Sequence, residues 1–98
     1  MKQSFSQRQL HLHNECTIIL QQIEANKLDR ASIGLESVSY QYDYFMLPNV
    51  KAMHIELNQH KLAELDKQRN ELLNQYAELM QQLIEPVINR LNITENAD

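Results

Sequence analysis

The stretch from Asn49 to Leu91 most constrains the fold. Ile55, Asn58, Leu62, Leu65, Arg69, Leu72, Tyr76, Leu79 and Leu83 recur in alternating steps of three and four. That is the spacing of a heptad seam. The residues between them are mostly strong helix formers, and no glycine interrupts. The pattern predicts one long helix. From Leu72 onward the column beside the seam is apolar too, at Leu73, Met80 and Val87. A two-column seam suits one partner helix, and a three-column stripe suits two neighbours. The half from Ile55 to Arg69 is narrower and carries Asn58 and Arg69. We read both as stripe-edge residues that snorkel. The other reading is that they sit in the seam and fix register or partner number.

About forty helical residues span roughly 60 Å, whereas a compact chain of this size is only about 35 Å across. The helix is therefore expected to break, to make an elongated molecule, or to share its length with a second chain. Pro86 is expected to kink the last turns, because it removes the hydrogen bond to Gln82.

The 98 residues suit a single helical domain with a frayed tail at 92–98. At this length, burial is limited and stability leans on a partner or a second copy. The net charge of −4 comes without a basic cluster, which argues against nucleic acid and against an anionic membrane surface. Cys16 is the only cysteine, so no intrachain disulfide forms. No apolar run reaches a membrane span, and the first residues lack a signal-peptide core. These features predict a soluble, reduced, cytoplasmic protein.

Along the chain, Ser4 or Ser6 with Gln7 or Gln9 resembles a capping box opening a first helix. Phe5, Leu12, Cys16, Ile19 and Ile23 form its apolar face, with Leu20 beside them, and it is expected to end near Asn26–Leu28. Residues 29–34, with Asp29, Ser32 and Gly34, read as a connection. Residues 37–47 fit two patterns. As a strand, Val38, Tyr40, Tyr42, Tyr44 and Met46 alternate; as a helix, Leu35, Val38, Tyr42 and Phe45 share a face. With no second strand to pair with, the helix is preferred. Pro48 or Asn49 then starts the long helix. The expected fold is all-α: an antiparallel bundle of two shorter helices folded along one long C-terminal helix, elongated and coiled-coil-like.

Chemistry-bearing constellations are few. His13 and Cys16 are three apart and could share a metal, but further ligands, from His54 or His60, would be needed; a buried structural cysteine is the simpler reading. Glu56, His60 and Glu64 are four apart in series, which reads as ordinary pairing on a solvated helical face. Histidine phosphotransfer bundles share the size, but the third residues after His54 and His60 are Leu57 and Ala63, not lysine. No nucleophile elbow or phosphate loop appears. We therefore expect no enzyme, no metal and no cofactor.

The aromatic cluster Tyr40, Tyr42, Tyr44 and Phe45 holds four of the six aromatic residues. These residue types are enriched at binding hot spots. The expected function is a non-enzymatic interaction module: a small acidic helical adaptor, chaperone or inhibitor that docks on another protein. Its binding residues are expected to be Tyr40, Tyr42, Tyr44 and Phe45 with Ile55, Asn58, Leu62 and Arg69 from the narrow seam. The alternative is a structural homo-oligomer whose long-helix seam is closed by its own copy. A homodimer or a heterocomplex follows in either case.

Overall fold

The computed structural model describes residues 6–97, with side chains described through residue 90. Two helices account for the ordered elements: α1, Gln7–Gln41, and α2, Pro48–Ala97. There is no strand among the described residues. The long C-terminal helix is continuous, without a break at residues 58–61, and the helical assignment passes through Pro86.

Three helices were expected, and the described residues form two. Residues 29–34 are not a connection: α1 runs through them to Gln41. The reason lies in the inward positions. Along α1, positions 9, 12, 16, 19, 23, 26, 30, 33, 37 and 40 are shielded, in unbroken steps of three and four. Of the first five, Leu12, Cys16, Ile19 and Ile23 carry an apolar stripe that is easily read. Asn26, Arg30 and Ser37 then occupy the same line with polar side chains, so the hydrophobic pattern fades while the helix continues.

The chain divides into two compact units, residues 1–22 with 72–98, and residues 23–71. In the first unit, Leu12, Cys16 and Ile19 of α1 face the seam side of α2 with Leu72, Tyr76, Leu79 and Leu83. Arg8 reaches Gln82 and Cys16 reaches Met80, so the pairing is antiparallel. Leu12, Cys16 and Leu72 are its buried side chains. Ser6 opens α1 as a reciprocal capping box. Its hydroxyl accepts from the Gln9 amide at 3.1 Å, and its own amide donates to Gln9 Oε1 at 3.4 Å.

In the second unit the helices are again antiparallel, as Asn26 meets Leu65 and Ser37 meets Asn58. This seam is polar. Asn26, 2% exposed, donates from Nδ2 to the Leu65 carbonyl at 2.9 Å and to Gln68 Oε1 at 2.8 Å. Its Oδ1 accepts from Arg30 Nε at 3.0 Å, and Arg30 pairs with Asp66 at 3.5 Å. Asn58 is also 2% exposed and donates to the Ser37 hydroxyl at 3.1 Å. It lies inside the seam and does not snorkel at its edge, because a hydroxyl across the pair satisfies its amide.

Residues 42–47 make the turn. Tyr42 N donates to Val38 O and Asp43 N to Tyr40 O, tightening the end of α1. Asp43 Oδ1 accepts from Phe45 N at 3.0 Å, an Asx turn. Lys51 Nζ returns to the Gln41 carbonyl at 3.4 Å, satisfying one orphan acceptor at the α1 terminus. The preferred helix for residues 37–47 thus holds as far as Gln41 and then gives way to the turn. Lys51 N donates to Leu47 O at 2.9 Å, so Pro48 occupies the first helical position, where its missing N–H costs nothing.

Gly34 gives a direct test. It sits in mid-helix without a positive φ, and a Cβ added there meets nothing within 4 Å. Gly34→Ala should raise stability by about 0.5–1 kcal/mol, through helix propensity alone. Urea denaturation followed by circular dichroism measures this. A loss of stability would show that the residue works as a turn.

Candidate functional site: an exposed aromatic turn and an apolar stripe

The turn in the second unit gathers the most exposed large side chains of the described residues. Phe45 is 100% exposed and Tyr44 84%. Tyr42 and Leu47 are also open to solvent. The local geometry explains why. Six residues connect two antiparallel helices, the backbone is held by the Asx turn, and neither helix extends over the turn's outer side.

The aromatic cluster is divided by structure. Tyr40 is the one member still within α1, and it is half-buried on the seam line. Its ring stacks on the His54 imidazole with centroids 4.7 Å apart and planes inclined by 18°. Its hydroxyl donates to Glu36 Oε1 at 2.7 Å. That bond raises the Tyr40 pKa above its ordinary value of 10.0, with desolvation and the Glu36 charge adding in the same direction. Tyr42, Tyr44 and Phe45 point away from such partners.

The other expected binding residues fall elsewhere in the same unit. Ile55, Leu62 and Arg69 are half-buried along the α2 seam, against α1, and Asn58 is enclosed there. The Arg69 Nε is buried without a hydrogen-bond partner. These four therefore belong to the packing of the two helices, whereas Tyr42, Tyr44 and Phe45 remain free to meet another molecule.

A second feature continues from the turn. Leu28, Ala31, Leu35, Val38 and Tyr42 recur in steps of three and four on the side of α1 away from α2. Leu28, Leu35, Val38 and Tyr42 are all at least half exposed. The shared face of Leu35, Val38, Tyr42 and Phe45 was legible in the sequence. Its extension to Leu28 was hidden by the expected helix end near Asn26–Leu28. Small residues flank the stripe, at Ala25, Ser32, Gly34 and Ser39. They leave room for another backbone to approach closely.

The remaining constellations are plain. His13 lies one turn from Cys16, whose thiol is buried and 3.9 Å from Met80 Sδ. Glu56, His60 and Glu64 are all exposed on α2. No cluster of three or more His, Cys, Asp or Glu with metal-binding geometry occurs among the described residues. No helix among them is long and apolar enough to cross a membrane. Comparison with protein-family models, with curated proteins and with solved structures finds no match to this chain.

Ionising Tyr40 would break its bond to Glu36 and set a phenolate beside a carboxylate. Its contribution to stability is therefore complete below the ordinary tyrosine pKa and is lost as pH rises through the higher folded-state value. In a variant with Tyr42, Tyr44 and Tyr76 changed to Phe, absorbance titration should show Tyr40 ionising above its ordinary range. Glu36→Gln should move that titration back down. An unchanged curve would mean the contact does not persist in solution.

Proposed function

We propose that this chain is a non-enzymatic protein-interaction module, an adaptor, chaperone or inhibitor in kind. Its binding surface is the aromatic turn together with the stripe from Leu28 to Tyr42. The observation that carries the reading is Phe45, fully exposed beside Tyr44 in a turn whose backbone is pinned by Asp43. Aromatic side chains on a pinned turn offer a large contact area and lose little conformational freedom on binding. An exposed apolar patch of this kind is a mark of an interaction site.

The stripe indicates the partner's form. Apolar residues in steps of three and four present a straight line one helix wide, matching the apolar face of an amphipathic helix. The small flanking residues favour close helix-on-helix contact, and the charged residues at the Leu28 end of the stripe are Glu24 and Lys27.

A triple variant, Leu35→Ser with Tyr42→Ser and Phe45→Ser, tests the proposal. All three positions are more than 60% exposed, so helicity and melting temperature should change little. Affinity capture from the native cell, followed by binding measurements on the captured protein, should show a loss of about tenfold or more, as removal of hot-spot contacts produces. Undiminished binding would refute this surface. Collapse of the fold would show that the residues are core.

A further inference from the structure

The first unit, residues 1–22 with 72–98, carries a different surface, and it has two unlike sides. Residues that directly follow an inward position line one side, and residues that directly precede one line the other. In an antiparallel pair the like sides of both helices coincide. Cys16–Met80 marks the first side, and Arg8–Gln82 marks the second.

On the first side lie Leu10, Leu20, Leu73, Met80, Ile84 and Val87, with Thr17, Ala77 and His13 between them and, among the residues whose side chains are described, no Asp, Glu, Lys or Arg. Leu10 is 56% exposed, and Leu20, Leu73, Ile84 and Val87 are 42–47% exposed. A groove of about 220 Å³ opens there between Gln9, Leu10, His13 and Leu83. On the second side lie Arg8, Glu15, Glu78 and Glu85, with His11, Gln22, Gln75, Gln82 and Asn89, and with Ile18, 48% exposed, as its apolar member among the described residues. In the third apolar column read from the sequence, Leu73 and Val87 thus stay exposed and Met80 is partly covered by Cys16, with no further helix over the column among the described residues.

We infer that the uncharged flank of this unit is the contact between two copies of the chain, which closes two helical pairs into a four-helix bundle. Charge selects both the side and the occupant. The chain carries a net −4, and on the second flank two copies would set Glu15, Glu78 and Glu85 against one another. The first flank is where like-charged copies meet without that repulsion. Each copy brings two helices with the same uncovered column, so one contact covers the column on all four.

The area agrees. Half-exposed side chains of this size each leave roughly 80 Å² uncovered, so the five named above expose on the order of 400 Å² per copy. Two copies bring about 800 Å² of apolar surface. At the roughly 65% apolar content of homodimer interfaces this corresponds to about 1,200 Å² in total, the lower bound of a stable specific interface. The inference is independent of the aromatic surface in the other unit.

Sedimentation equilibrium of the purified full chain should give twice the 11.6 kDa chain mass. Leu73→Glu should give a monomer that keeps its helical circular dichroism, and Ile18→Glu, on the other flank, should stay dimeric. A wild type that is monomeric throughout the micromolar range overturns the inference, as does a dimer that survives Leu73→Glu. A second readout needs no disruptive change: Ala77→Cys should join two chains through a short bis-maleimide, while Ile18→Cys should not. Equal cross-linking at both positions, or none at Ala77, overturns it as well. The triple variant Leu35→Ser, Tyr42→Ser and Phe45→Ser should remain dimeric, which separates a failure here from a failure of the partner surface.

Discussion

Two helices packed side by side can cover only one stripe of each other, and this limit governs the rest of the structure. Among the described residues, the buried apolar side chains are Leu12, Cys16 and Leu72, while sixteen large apolar side chains are exposed. A single helical pair has no third layer to take them in. Their exposure is therefore a property of the architecture and not of any one residue. What distinguishes this chain is the arrangement of most of them: twelve gather on the turn, on the outer stripe of α1 and on one flank of the first unit, while Ile18, Met53, Leu57 and Ile88 lie outside these groups.

The polar seam of the second unit follows from the same limit. With so little core to spend on apolar packing, register there rests on hydrogen bonds. Asn26 bonds to a backbone carbonyl and to a side chain of α2 and accepts from Arg30, which pairs with Asp66. Asn58 finds Ser37. A one-step slip would leave these groups buried and unpaired, at about 1–3 kcal/mol each. Polar seam residues thus give up some stability for a defined alignment. Arg69 shows the cost, with its Nε buried and unpartnered.

How much of this was legible in the sequence depends on which signal each element used. The period of the α2 seam from Ile55 to Leu83 was legible, because mostly apolar residues keep it visible and no glycine interrupts it, although Asn58 was expected at its edge and lies inside it. The first turns of α1 were legible for the same reason, as was the capping pair Ser6 and Gln9. The second half of α1 was not. Asn26, Arg30 and Ser37 sit on its inward line, and Asp29, Ser32 and Gly34 imitate a loop. On that inward line only Ile33 and Tyr40 keep an apolar period, and the polar positions beside them are met by Leu65, Asp66, Gln68 and Asn58, residues far away in the chain. The candidate site divides likewise. Tyr42, Tyr44 and Phe45 were found by density, while Ile55, Asn58, Leu62 and Arg69 are packed against α1.

The distribution of charge gives the exposed apolar residues a direction. Were they surplus left over from an imperfect fold, charged residues would be scattered among them, since scattered charge is the ordinary protection against association. In the first unit, Arg8, Glu15, Glu78 and Glu85 instead lie on the flank opposite Leu20, Leu73 and Val87. In the second, the line from Leu28 to Tyr42 is bordered by Ser32, Gly34 and Ser39, while Glu36 is turned toward Tyr40. Separation of this kind lowers the solubility of the isolated helical pair. It supports both proposals, a second copy on the broad flank of the first unit and a single partner helix on the narrow stripe beside the aromatic turn.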